Sequence, residues 1–373
     1  MNEPTTRIRP ATVADNERLL AFQARYAMRG GLPLRFDRSP DYFALHRCHS
    51  DDYRTWLAED HTGRVKGMAS MVVRDGYLVG EKQRIAYLGD LRIAPDRELA
   101  RIWVDYVADR LADLARHEDV QHTYCCVIRD NRIATQSLFG TAGKRTRLGF
   151  RHWRGYSNVS IYARRFAGRR CGSVRITNAS GADADALRAF LDHESRSQPF
   201  GCVFTTDEFA RRLSAWPDFG IERFMIARNA QGRIVGCVAP WDAGRIKRIM
   251  LERLPRSLGA LRYGFNAIAP LLGRPPIAAP GQPLQDTYLT HLHVSGRDPD
   301  IAQALLDAVW QRERSRYALL QLCLYDHDPL WPALHGYRYT ALPMDLYTLS
   351  TPGASAFDPG GAEAIPGFEI YLV

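Results

Sequence analysis

The sequence predicts an α/β (α+β) protein made of two units in tandem, and three observations lead there. Ile85 to Ile93 is rich in apolar and β-branched residues and has no breaker except Gly89, so it reads as a buried strand. Ala94-Pro95-Asp96 stops it, and Leu99, Ile102, Trp103, Tyr106, Val107, Leu111 and Leu114 then recur at three and four residue spacings, the mark of an amphipathic helix running to about Arg116. Second, Tyr288-Leu289-Thr290-His291-Leu292-His293-Val294 sets itself against Tyr87-Leu88-Gly89-Asp90-Leu91-Arg92-Ile93, with the tyrosine and most apolar positions coinciding. Third, at 373 residues the chain outgrows one ordinary core and fits two of about 150 to 200 residues.

The elements follow in order. Arg7 to Ala11 reads as a strand, and Thr12-Val13-Ala14-Asp15 opens a helix through about Met28 with Leu19, Leu20, Phe22 and Tyr26 on its apolar side. Ser39-Pro40-Asp41 opens another, Tyr42 to His49. Strands Tyr53 to Glu59 and Arg64 to Val73 flank the turn Asp60-His61-Thr62-Gly63. After the central strand and helix come a strand over His122 to Ile128, Asn131-Arg132-Ile133-Ala134, and Leu148-Gly149-Phe150. This first unit spans 5–165, and residues 166–173 are a linker rich in Arg and Gly.

The order then restarts in a second unit, 174–350. Val174-Arg175-Ile176-Thr177 with Ala182-Asp183-Ala184-Asp185 parallels Ile8-Arg9-Pro10-Ala11 with Ala14-Asp15. Phe224 to Arg228 and Ile234 to Trp241 pair around Asn229-Ala230-Gln231-Gly232. An insertion at about 242–286, helical over Leu258 to Leu272, is expected to pack the units together or cap a cleft. Helix Ile301 to Arg314, strand Ala318 to Leu324 and Gly336-Tyr337 complete the unit. The tail 351–373 is expected on the surface, with Phe368 to Val373 able to add an edge strand.

The central stretch resembles the core motif of the GNAT superfamily of acyl-CoA-dependent N-acyltransferases. There a strand ending near Val-x-Pro leads into Arg/Gln-x-x-Gly-x-Gly/Ala, whose amides hold the coenzyme A pyrophosphate. The matching residues are Ile93, Pro95, Arg97, Ala100 and Ile102, with Ala100 and Ile102 replacing smaller residues. Asn131 and Ala134 match the family's Asn-x-x-Ala, and Gly149-Phe150 its closing Gly-Phe. The resemblance implies that each unit is a mixed, mostly antiparallel twisted sheet flanked by helices. It further implies acetyl-CoA or another acyl-CoA as co-substrate, held by Leu91, Ile93, Arg97, Leu99, Ala100, Arg101, Ile102 and Asn131, and an amine acceptor, small molecule or peptide. A helix N-terminus suits such an anion because its free amides and dipole point at it. In the second unit Asp298, Pro299 and Asp300 suit a pyrophosphate poorly, so the first unit is the expected cofactor site.

Acyl transfer needs a held thioester, a base for the amine and an acid for the thiolate. The catalytic candidates are Tyr87, Asp90 and Glu59. Asp90 and Arg92 lie on the opposite parity from Tyr87, Gly89, Leu91 and Ile93 unless a bulge re-aims them, and Asp-x-Arg also reads as a structural ion pair. The family's acidic tyrosine falls on Leu138 or Phe139, and on Trp331 or Pro332 in the second unit; Tyr156 and Tyr162 are the substitutes available. His291-x-His293 lacks a third ligand at fitting spacing, so no metal is expected. A catalytically degenerate binding or regulatory protein of the same fold is the alternative.

Composition is that of a globular chain, 46% hydrophobic and 24% charged. Seven scattered cysteines without a C-x-x-C pair indicate reduced thiols, and the absence of a signal core or long apolar run sets the expectation of a cytoplasmic protein with no membrane partner, monomeric or homodimeric. The net charge of +9 is almost all arginine, since Lys66, Lys82, Lys144 and Lys247 are the four lysines. Basic runs such as Lys144-Arg145-Thr146-Arg147 carry no nucleic-acid module, so nucleic acid is not an expected partner.

Overall fold

A computed structural model describes residues 6–26, 33–131, 147–166, 172–350 and 364–373. The elements up to the linker are β1 (Thr6–Pro10), α1 (Asn16–Gln23), β2 (Leu34–Asp37), α2 (Ala44–His49), β3 (Asp52–Asp60), β4 (Val65–Leu78), β5 (Glu81–Ile93), α3 (Arg97–His117), β6 (His122–Ile128) and β7 (Gly149–Arg164). After it come β8 (Arg175–Asn178), α4 (Ala184–Arg196), β9 (Gly201–Cys202), α5 (Thr206–Ala215), β10 (Met225–Arg228), β11 (Ile234–Trp241), β12 (Arg248–Leu251) and α6 (Arg256–Ile268). The chain closes with β13 (Asp286–Val294), α7 (Pro299–Glu313), β14 (Leu319–Tyr325) and β15 (Tyr337–Ser350).

Local sequence explains the long helices. Asp96 caps α3 by accepting from the Glu98 and Leu99 amides, and Leu99, Trp103, Val107, Leu111 and Leu114 bury one stripe against β3, β4 and β5. Asp298 caps α7 in the same way with Pro299 in its first turn, and Ile301, Leu305, Val309 and neighbours bury the corresponding stripe.

Where the sequence predicts two sheets, the strands form one continuous sheet. One mixed sheet runs β1-β3-β4-β5-β6-β15-β7-β14-β13-β11-β10-β8, flanked by helices. Its two wings are related by repetition, and at the centre the last strands are exchanged. β7 pairs with β14 of the later half, β15 pairs with β6 of the earlier half, and β15 and β7 form a long antiparallel ladder from Tyr337 opposite Arg164 to Ser350 opposite Gly149. A second link is the small ribbon of β2 and β12, Arg248 opposite Asp37 through Leu251 opposite Leu34. The insertion after β11 thus ties the halves together through its first strand.

The repeat is accurate to the residue. β5 pairs parallel with β6 only from Ile85 to Tyr87, and β13 with β14 only from Asp286 to Tyr288. Each then diverges from its partner. Each also bulges at one point: the β4–β5 register shifts between Met68 and Ser70, the β11–β13 register between Cys237 and Ala239. The residues in the bulges, Asp90 and His291, both have left-handed φ, 57° and 53°.

The described part of the tail does not lie on the surface. Residues 364–373 thread into the middle of the molecule, where Phe368, Ile370, Tyr371 and Leu372 are buried. Four apolar side chains in five residues explain this, because the hydrophobic effect outweighs the preference of a terminus for solvent. Residues 351–363, Arg132 to Ala134, Leu138, Phe139, Lys144, Arg145, Arg169 and Arg170 lie outside the described residues.

Candidate functional site

Two clefts open where the parallel pairs diverge. In the first, the edge of β5 that faces β6 has no strand partner beyond Tyr87 among the described residues, while its other edge stays paired with β4 to Ile93. The backbone around Leu91 and Ile93 is therefore available on the cleft side. The strand leads within three residues to the start of α3, so the edge and the helix N-terminus form one continuous track.

The bulge decides where Asp90 goes. It turns the carboxylate into a buried pocket, where Arg38 grips it with two bonds of 2.6 and 3.0 Å, Tyr42 Oη donates at 3.1 Å, Arg92 approaches at 3.1 Å and His46 Nε2 at 3.4 Å. Burial resists ionisation, but Arg38 and Arg92 outweigh it and hold the carboxyl well below its usual range. Burial pushes His46 down to about 4, with Arg38 and Arg47 adding to it, so that imidazole is neutral.

Tyr87 lies on the cleft floor. Its ring packs against His49, Tyr124 and Phe368, and its hydroxyl is 3.1 Å from Cys126 Sγ. Gly89 makes room for it, since a Cβ there would come within 2.7 Å of the Tyr87 ring. Tyr156, from β7, is also fully buried here against Phe368 and Tyr325, whereas Tyr162 is exposed. Burial first and the Cys126 sulfur second push both phenols well above their ordinary value, which keeps them protonated and able to donate.

Glu59 is elsewhere. On β3 it receives Arg9 at 3.0 Å and Arg18 at 2.8 Å, in a network that also holds Asp15. Leu99 is buried in the α3 stripe, Ala100 and Ile102 are half-buried and Arg101 is exposed. The Asn131 amide donates to the Ile128 carbonyl at the end of β6. The α3 N-terminus is already engaged: Asp96 Oδ1 accepts from Glu98 N at 2.9 Å and Leu99 N at 3.1 Å.

Three groups near this cleft carry no local sequence signature. Lys247 is buried, donates to the carbonyls of Tyr371 and Val373 at 3.1 and 2.7 Å, and lies 4.6 Å from the centre of the Tyr288 ring. Burial, then the charge of Arg38, pushes its amine down to about 7. Desolvation pushes Asp286, bonded to Gln321 at 2.6 Å, up to about 7. Glu369 is buried against Arg212, which outweighs the burial and holds its carboxyl well below the usual range. The one hint in the sequence is that Lys247 is a rare lysine in an arginine-rich chain.

The second cleft lies between β13 and β14 and encloses about 710 Å³, its open mouth included. It is lined by His291, His293, Arg297, Tyr325, Phe368 and Glu369 among others, so the closing segment forms one wall. His291 takes the place that Asp90 has in the first bulge and, like it, faces a buried arginine, Arg212 at 3.3 Å, with Thr290 Oγ1 at 2.8 Å. Burial, then Arg212, pushes this imidazole well below its ordinary value. Among the described residues no group of three or more His, Cys, Asp or Glu is placed to hold a metal ion.

The divergent parallel pair, the bulge just past the point of divergence and the helix that follows are those of the GNAT fold, and this chain has it. No protein-family model matches the sequence, and no curated protein does. Among solved structures, N-myristoyltransferase of Saccharomyces cerevisiae with bound myristoyl-CoA and inhibitors aligns at a TM-score of 0.60 and 9% identity, over 96% of this chain and 85% of that one. A GCN5-related N-acetyltransferase from Sphaerobacter thermophilus aligns at 0.54 and 14% identity, over 93% and 96%. The GCN5-related glucosamine N-acetyltransferase region of a fungal multi-domain GH3 β-N-acetylglucosaminidase aligns at 0.63 and 10% identity, over 94% of this chain and 38% of that one. The fold shared with these proteins is the expected one.

Proposed function

We propose that this protein is an acyl-CoA-dependent N-acyltransferase of two domains, 5–165 and 174–350, that share one sheet. The observation that carries the reading is the unpaired edge of β5 running into the start of α3, the place where an extended pantetheine gains backbone hydrogen bonds. Leu91 and Ile93 would hold the thioester arm, with the diphosphate toward Arg97, Ala100, Arg101 and Ile102. The amine nitrogen attacks the thioester carbon, the C–S bond breaks, and the leaving sulfur takes a proton. Tyr87 and Tyr156 are the phenols at the cleft floor that stay protonated to supply it. Lys247, with its amine near 7, is the group poised to accept the proton that the attacking amine loses. Of the carboxylates the sequence suggested, Asp90 acts through Arg38 as a positioning group, and Glu59, held by Arg9 and Arg18 away from the cleft, takes no part.

Acetyl-CoA is the proposed donor, although the yeast neighbour holds a myristoyl-CoA on the same framework. The cytoplasm is the proposed compartment; the described cysteines are unpaired, and no described helix is long and apolar enough to cross a membrane. One observation favours a second reading, a GNAT-fold protein that binds without catalysing: Asp96 and Asp298 occupy the amides of both helix starts. Calorimetric titration with acetyl-, octanoyl- and myristoyl-CoA, repeated on Ala100→Trp, tests both. Binding that the substitution abolishes, followed by thiol release with an amine panel, supports transfer. Binding without turnover supports the second reading, and no binding refutes the first.

A further inference from the structure

The insertion between β12 and β13 has one face that no other element among the described residues covers. Leu258, Leu261, Phe265 and Ile268 follow one another at three and four residue spacings on α6, and Leu271 and Leu272 continue the stripe in the turn beyond it. Leu258 is 37% exposed, Leu261 62%, Ile268 49%, Leu271 87% and Leu272 50%. Five exposed large apolar side chains in one short stripe far exceed scattered surface hydrophobes. The flank of the helix next to the stripe is anchored: Arg262 and Asn266 donate to the Ile277 carbonyl at 3.0 and 3.2 Å, Asn266 accepts from the Ile277 amide at 2.7 Å, and Ala269 is buried. The exposed stripe is therefore presented on a fixed support.

Charge names the occupant. From Arg253 to Gln285 there is no aspartate or glutamate, in a chain that has 41, while Arg253, Arg256, Arg262 and Arg274 fall within the stretch. A segment that joins an exposed apolar stripe to positive charge only complements a surface that is apolar beneath and anionic above. A helix of 13 residues is too short to span a bilayer, so it would lie in the interface plane. We propose that α6 and the turn after it dock this protein onto an anionic phospholipid surface. This departs from the expectation of no membrane partner and does not depend on the reading of the clefts.

The test is co-sedimentation of the full chain with vesicles of phosphatidylcholine alone and of phosphatidylcholine with about a third phosphatidylglycerol. The expected result is binding to the anionic vesicles, weakened by salt, and little to the neutral ones. Leu261→Glu and Leu271→Glu should each lower vesicle affinity about tenfold, since each removes a buried leucine from the interface. Both positions are exposed, so the melting temperature should stay within a degree or two. No sedimentation with anionic vesicles, or sedimentation that both variants retain, overturns the proposal. So does a concentration-dependent dimer in light scattering that Leu261→Glu dissolves while vesicles are ignored, because the stripe would then cover a second copy.

Discussion

Replacing Asp90 by asparagine separates a positioning carboxylate from a catalytic one. Arg38 is 3% exposed and its two bonds to Asp90 are the pair that compensates its charge in that pocket, with Tyr42 and Arg92 bonded to the same carboxylate. Asparagine keeps the shape and removes the charge, leaving a guanidinium buried without its counter-ion. Breaking a buried pair from one side costs about 3 to 5 kcal/mol, and solvent screening does not reduce it at this depth. The assay is urea unfolding followed by tryptophan fluorescence, read as a shift in midpoint at constant slope. The paired change Arg38→Met with Asp90→Leu should recover more than half of the loss, because no uncompensated charge remains. The sign with pH follows from a depressed folded pKa: the carboxylate's contribution is present above its unfolded value of about 4 and is lost as pH falls below it. The difference between wild type and Asp90→Asn should therefore be flat from pH 8 to 5 and shrink below about 4. A loss under about 1 kcal/mol at pH 7, or turnover that falls a hundredfold with stability intact, would refute the positioning role.

Other outcomes are expected. His46 and His293, each pushed down to about 4 by burial, and His291 with them, are neutral in the fold, so their contribution is full above about pH 6.5 and is lost between there and 4; the melting temperature should fall across that window in differential scanning fluorimetry. Asp96→Ser keeps a capping oxygen on α3 and removes a negative charge from its N-terminus, so acyl-CoA should bind about fivefold more tightly by calorimetry, with helix stability nearly unchanged. Gly201→Ala places a Cβ 2.3 Å from the Ser195 carbonyl oxygen, on a residue that Gly367 also packs against; it should cost about 2 to 3 kcal/mol and expose the closing segment to protease.

Much of the architecture was legible along the chain. The strand Ile85 to Ile93, the helix after Asp96 and the strand His122 to Ile128 follow from local patterning, because burial imposes the periods of two and 3.6 on apolar residues wherever an element packs on one face. The echo of Tyr87 to Ile93 in Tyr288 to Val294 was legible too, although the bulge that both strands share was not. The roles of Asp90 and His291 were not, because alternation predicts a side and a bulge overrides it. The exchange of β7 and β15 left no mark, since the apolar pattern of a central strand is the same whichever neighbour supplies its hydrogen bonds. The closing segment, Lys247 and Glu369 reach the clefts through long-range packing, which no spacing encodes. The sequence by itself determined the elements and their repetition, because those rest on interactions between near neighbours. Only the tertiary structure decided which strands join the halves, which charges meet in the dark between them and which apolar stripe stays uncovered, because those depend on where distant residues are brought to rest.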